Sequence, residues 1–126
     1  DYMNISRLIL CSGKVYYDLD AFRCTHDITG TAILRIEQLY PFPEDDLLNA
    51  LSNYAKIDEI VWCQEEPRNQ GAWLNIEAYL LTAAWKHKKN IQLRYAGRRS
   101  AATPAAGYLS LHVKRQEALV KAAFDF

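Results

Sequence analysis

The chain has 126 residues, of which 50% are hydrophobic and 24% charged; 15 basic side chains balance 15 acidic ones, for a formal net charge of +0. This is one domain's worth of ordinary globular sequence, which excludes disorder as the main state. The charge balance argues against a domain built to grip nucleic acid or an anionic membrane, since both need a basic surplus.

Arg7 to Ser12 is a short apolar run of strand length, closed by Gly13. Val15, Tyr16, Leu19 and Phe22 then fall at helical spacing, with Asp18 and Asp20 off the stripe. A turn around Asp27 to Gly30 leads to a second strand, expected over 31–37. Pro41-Phe42-Pro43-Glu44-Asp45-Asp46 reads as a helix start: Pro43 presets φ, and the acidic residues face the positive end of the helix dipole. The stripe Leu47, Leu48, Leu51, Tyr54, Ala55 continues that helix.

A third strand is expected over 59–64, followed by a polar loop from Glu65 to Gly71. The third helix carries Trp73, Ile76, Leu80, Ala83 and Ala84 on one face, with Lys86, Lys88 and Lys89 at its end, where cations suit the dipole. The fourth strand is expected over 91–95, then a loop from Ala96 to Gly107, then a last helix from about Ser110 to Phe124. The order βαβαβαβα predicts one α/β domain, 1–126, with a mainly parallel sheet and helices on both faces.

Other features bound the setting. No apolar run approaches the roughly 18 residues of a membrane span, and no signal peptide is visible at Asp1-Tyr2-Met3-Asn4. The chain begins with Asp, which suggests a domain cut from a longer protein. Cys11, Cys24 and Cys63 contain no C-x-x-C and fit a reducing compartment. Cys11 and Cys63 lie in apolar runs and are expected to be small buried hydrophobes.

In a parallel sheet the segments that follow the strands gather at one edge, where open α/β sheets bind ligands. Here they are Ser12-Gly13-Lys14, Glu37 to Tyr40, Gln64 to Gln70, and Ala96-Gly97-Arg98-Arg99. The glycines cannot make G-x-G-x-x-G or a P-loop, there is no G-x-S-x-G, and His26, His87 and His112 lack metal-ligand spacing. The histidines read as surface or capping residues. Ser12-Gly13-Lys14 could hold an anion at a helix start or simply cap that helix with a solvated lysine. Glu65-Glu66 could act as an acid/base pair, cap a helix or meet a partner's arginines. Arg98-Arg99 could pair with an anion or with a neighbouring subunit.

The strand-end blocks carry a resemblance. Leu8-Ile9-Leu10-Cys11-Ser12-Gly13-Lys14-Val15-Tyr16-Tyr17-Asp18-Leu19, Arg35-Ile36-Glu37-Gln38-Leu39-Tyr40-Pro41-Phe42-Pro43 and Val61-Trp62-Cys63-Gln64-Glu65-Glu66-Pro67-Arg68-Asn69-Gln70-Gly71-Ala72-Trp73 resemble, in order, the C-terminal domain of the 2-oxoglutarate dehydrogenase decarboxylating component. Arg94 to Arg98 and Ala102 to Tyr108 are similar to its remaining blocks, so the resemblance covers Leu8 to Phe124. It implies a three-layer αβα sandwich like the transketolase C-terminal domain, with a mixed sheet whose N-terminal strand is antiparallel; only four parallel candidates are legible here. It also implies a parent enzyme of the citric acid cycle that uses thiamine diphosphate and magnesium. Such an enzyme decarboxylates 2-oxoglutarate and passes the succinyl group to lipoamide on a dihydrolipoyl succinyltransferase core.

The family's Gly-Asp-Gly cofactor motif is missing from this chain. The resemblance therefore implies a domain without catalytic, cofactor-binding or metal residues of its own, inactive alone, which packs on the preceding domains and on the second subunit of a homodimer. Glu65, Glu66, Arg68, Asn69, Gln70, Trp73 and Arg98 are the expected interface residues, unless Trp73 is buried in its own core. Some relatives bind acetyl-CoA near the block equivalent to Ile36-Glu37-Gln38-Leu39; here Glu44-Asp45-Asp46 replaces the arginine run that would meet its phosphates, which argues against that mode. If an effector binds, Lys14 and Gln38 are the expected contributors. The expected compartment is the bacterial cytoplasm, or the mitochondrial matrix in a eukaryote. The competing readings are a free-standing α/β module for a nucleotide or other anion, and a small enzyme using Glu65, Glu66 or a histidine.

Overall fold

The computed structural model describes residues 4–87, 90–98 and 109–125. Its elements alternate as expected: β1 (Arg7–Cys11), α1 (Val15–Thr25), β2 (Thr31–Arg35), α2 (Glu44–Ser52), β3 (Glu59–Pro67), α3 (Trp73–His87), β4 (Gln92–Arg98) and α4 (Leu109–Ala123). The sheet order is β2-β1-β3-β4 and every pairing is parallel. β1 pairs with β2 on one side and with β3 on the other, so the chain reverses direction across the sheet between β1 and β3.

Strand alternation divides the interior into two layers. Leu8 and Leu10 of β1 and Ile60 and Trp62 of β3 face α2 and α3, meeting Leu47, Leu51, Trp73, Ile76 and Leu80. Ile9, Cys11, Val61 and Cys63 face the other way, toward Val15 and Leu19 of α1 and Leu119, Val120 and Ala123 of α4. The result is a three-layer αβα sandwich.

Several boundaries differ from the sequence reading. β3 continues through Glu65-Glu66-Pro67, and β4 through Ala96-Gly97-Arg98, where loops were expected. The register explains why: Gln64 is opposite Gly97 and Pro67 is opposite Arg98, so Glu65 and Glu66 bulge out while the ladder goes on. β2 ends at Arg35, although Ile36 N–H still donates to the Cys11 carbonyl at 2.8 Å. α2 stops at Ser52, short of Tyr54 and Ala55. The Ser52 hydroxyl and Asn53 amide both turn back to the Asn49 carbonyl, at 2.6 and 3.5 Å, and compete with helix continuation. Tyr54 is nevertheless buried, so the apolar spacing outlasts the helix. Lys88, Lys89 and the loop segment 99–108 lie outside the described residues.

The opposite, amino-terminal edge of the sheet is tied to α4. Arg7 and Arg94 both pair with Glu59, at 2.6 and 3.3 Å. The same guanidinium groups donate to the carbonyls of Phe124, Ala122 and Ala123 at 2.7, 2.6 and 3.1 Å. Cations thus sit where the α4 dipole is negative.

Candidate functional site

The carboxyl ends of the strands are organised by Gln64. Ile60, Trp62 and Gln64 alternate onto one face of β3, so its carboxamide points into the core and is buried. Its Oε1 accepts from Trp62 Nε1 at 2.9 Å and from the Trp73 backbone N–H at 3.1 Å. Its Nε2 faces the carbonyls of Glu66, Pro67 and Gln70 at 3.1, 2.9 and 2.9 Å. One side chain thereby fixes the bulge, the turn and the first residue of α3. Sequence reading placed Gln64 in this segment without singling it out; the signal was a polar residue in register with two large core residues.

The turn closes on two glycines. Gly71 has φ 68°, and a Cβ there would stand 3.1 Å from Glu66 Cβ and 3.2 Å from Gln64 Oε1. Gly97 lets the Tyr95 hydroxyl and the Gln64 backbone carbonyl approach to where a Cβ would be 2.5 and 2.8 Å away. Tyr95 Oη donates to the Arg98 carbonyl at 2.9 Å, which also accepts from Arg68 N–H at 3.1 Å. Burial pushes the Tyr95 phenol above its ordinary range.

The residues expected at this edge are only partly brought together. Arg68 is exposed and lies over the rings of Trp73 and Tyr95, 5.6 and 4.9 Å from their centroids. Trp73 itself is buried in its own core, so at this turn Arg68 rather than the indole is the exposed member of the pair. Glu65 reaches across to Lys14, Nζ to Oε2 2.9 Å, joining the ends of β1 and β3. The hydrogen bond to Glu65 holds the Lys14 ammonium above the ordinary lysine range. Glu66 and Asn69 are exposed and Gln70 is half-buried. Glu65 and Glu66 occupy one bulge, and the ion pair with Lys14 falls on Glu65.

Lys14 is the N-cap residue of α1 and supplies no side-chain cap. Gln38 folds back on the Tyr40 carbonyl at 3.2 Å. The two expected effector residues line separate clefts: Lys14 borders one of about 510 Å³ between α1 and α4, and Gln38 one of about 540 Å³ against α2. A third cleft of about 810 Å³ opens beyond the carboxyl ends of β1 and β3, bounded by Ser12, Gly13, Tyr40, Gln64, Glu66 and Asn75. Its position is the crevice where open parallel sheets take ligands. His26 caps α1: its N–H donates to the Phe22 carbonyl at 3.1 Å and its ring stacks on Phe22, centroids 4.0 Å apart.

The resemblance implies magnesium and a diphosphate, which need several convergent oxygen ligands. Among the described residues no group of three or more His, Cys, Asp or Glu could hold a metal ion. Glu65 is engaged by Lys14, Glu44 by Lys86 at 2.9 Å, and Glu59 by two arginines. These residues do not fit that cofactor. No described helix is long and apolar enough to cross a membrane.

The geometry defines a doubly wound αβα domain whose strand-end turn is built around a buried carboxamide. Residues 1–124 match the family model described as 2-oxoglutarate dehydrogenase C-terminal, and the chain belongs to that family. It is 49% identical over 124 residues to the 2-oxoglutarate dehydrogenase E1 component of Azotobacter vinelandii, covering 98% of this chain and 13% of that protein. The E1 component of Haemophilus influenzae is 48% identical over 126 residues, covering 100% of this chain and 13% of the relative. That of Coxiella burnetii is 48% identical over 127 residues, with 99% and 13% covered.

Proposed function

We propose that this chain is the C-terminal assembly domain of a longer 2-oxoglutarate dehydrogenase E1 enzyme and carries none of that enzyme's covalent chemistry. The observation that carries the reading is the shape of the match: nearly all of this chain, but 13% of the E1 components of A. vinelandii and H. influenzae. In the longer protein, thiamine diphosphate and magnesium would be held elsewhere, where 2-oxoglutarate is decarboxylated before succinyl transfer to lipoamide. This domain would pack on the preceding domains and help form a homodimer that docks on a dihydrolipoyl succinyltransferase core in the bacterial cytoplasm. Arg68, Asn69, Gln70 and Arg98, at the turn that Gln64 stiffens, are the polar contacts proposed for that packing. A pre-ordered turn loses less conformational entropy on docking than a loose one.

A free-standing anion-binding module is disfavoured, because the clefts near Lys14 and Gln38 are separate and the relatives are far longer. The test compares the full-length enzyme, a version lacking this domain, and the 126-residue chain. Calorimetric titration with thiamine diphosphate and magnesium, sedimentation and carbon dioxide release are measured on each. The expected result is cofactor binding and turnover in the full-length enzyme, loss of the stable dimer without this domain, and neither binding nor turnover by the chain alone. Micromolar cofactor binding with turnover by the chain alone would overturn the division of labour.

A further inference from the structure

Beside its buried face, α3 carries a second apolar stripe that is exposed. Trp73, Ile76, Leu80, Ala83 and Ala84 are buried against the sheet. Leu74, Ala78, Leu81 and Trp85 recur at the same helical spacing on a second stripe. Leu74, Leu81 and Trp85 are 62%, 51% and 64% exposed. A surface helix normally turns charged and polar residues to water on the side away from the core. Contiguous exposed apolar patches larger than roughly a few hundred Å² are rare on monomeric proteins and mark interaction surfaces.

The position of the stripe is fixed by its neighbours. Tyr79 stacks on Phe42 at 5.3 Å and Lys86 pairs with Glu44 at 2.9 Å, so these residues mark the flank of α3 that meets α2. Leu74 and Leu81 lie on the other flank, because helical geometry rotates them well away from Tyr79 and Lys86. That flank overlooks β4, the last strand in the sheet order. Its amino-terminal end, Leu74, directly follows the turn that Gln64 braces.

We propose that the Leu74-Ala78-Leu81-Trp85 face of α3 is a permanent intramolecular interface, covered by the remaining domains of the same E1 polypeptide. The inference rests on the reading of the chain as one domain of that enzyme. The relatives place most of their length outside the segment matched here, which supplies an occupant of ample size. Tethering supports that choice: a face covered by its own chain is hidden at every concentration and can stay as apolar as a core cut in half, as obligate interfaces are.

The test uses the full-length enzyme with Leu81→Cys, and separately Ala78→Cys, labelled with a maleimide and read by peptide mass spectrometry. The rate in native enzyme is compared with that in urea. At least tenfold protection, unchanged across a dilution series that takes dimer to monomer, is expected. Protection below tenfold in an enzyme that still releases carbon dioxide from 2-oxoglutarate overturns the inference and leaves the functional reading intact. Protection lost in step with dissociation also overturns it, assigning the face to a second copy. A full-length protein without that activity is the separate outcome that sinks the functional reading.

Discussion

The Trp62 indole donates its hydrogen bond to Gln64, two residues further along the same strand, with Nε1 and Oε1 2.9 Å apart. Both groups are buried, so each would otherwise carry an unmet desolvation cost. Gln64→Leu keeps the shape but strands the Trp62 and Trp73 N–H donors and takes one donor from each of the Glu66, Pro67 and Gln70 carbonyls, of which Glu66 keeps the Tyr95 hydroxyl and Pro67 the Gln70 N–H. It should lower stability by about 3 kcal/mol, the scale of two or so buried unsatisfied groups. Gln64→Glu should also destabilise, because a buried carboxylate would face carbonyl oxygens. Urea unfolding would show both as lower midpoints with unchanged slope.

Glu59 makes the acid limb of stability predictable. Burial acts to raise its carboxyl pKa, but the hydrogen bonds from Arg94 and Arg7 outweigh that and hold it below the ordinary value of 4.5. The unfolded chain therefore binds the proton first as pH falls. The pair's contribution is present above about pH 4.5 and is lost as pH drops through the folded value. Glu59→Gln should cost about 1 kcal/mol at pH 7, since the pair is partly solvated. It should also flatten the stability profile as pH falls below 4.5. Urea midpoints across that range check it; parallel profiles for the two proteins would contradict it.

The elements of the fold were legible because apolar spacing reports burial directly. Leu8, Ile9 and Leu10 alternate between two layers, and Trp73, Ile76 and Leu80 recur at helical period, as a sheet covered on both faces requires. The carboxyl-terminal extensions of β3 and β4 were not legible. Glu65 and Glu66 look like loop residues, and only the pairing of Pro67 with Arg98 across a bulge keeps them in the strand. The site was half legible. Its segments could be gathered at one edge by topology, but the Lys14–Glu65 pair joins residues 51 apart in sequence, and no local pattern encodes it. Nor does spacing say that Lys14 and Gln38 border different clefts, which depends on how α1 and α2 lie on opposite faces.

Gly97 tests the close approach of the two strand ends. A Cβ would meet the Gln64 backbone carbonyl at 2.8 Å and the Tyr95 hydroxyl at 2.5 Å. The tyrosine ring is held by its bond to the Arg98 carbonyl, and the Gln64 backbone by the ladder, so neither yields cheaply. Gly97→Ala should cost about 1–3 kcal/mol, the range for overpacking. Adding Tyr95→Phe should recover part of it by removing the closest atom. Thermal melts of the single and double variants measure that coupling; a single variant as stable as wild type would show that the strands have room to part.

The three cysteines should divide sharply by reactivity. Cys24 is exposed on α1, whereas Cys11 and Cys63 are buried, opposite one another on β1 and β3. Burial pushes the Cys11 thiol up to about 12 and pushes Cys63 up as well. The thiolate is the reactive form, so neither should react at neutral pH while the sheet is intact. A maleimide at pH 7 should modify Cys24 alone in native protein and all three cysteines in urea. The raised values also set the alkaline limb of stability: both thiols stay protonated in the folded state after they ionise in the unfolded chain. Stability is therefore full below the unfolded value of about 9.0 and declines as pH rises beyond it. Cys11→Ala with Cys63→Ala should remove that decline while lowering stability at pH 7 through lost packing. Mass spectrometry of the native adduct is the decisive measurement, and modification of Cys11 or Cys63 at the rate of Cys24 would show that the sheet opens far more readily than its two packed layers allow.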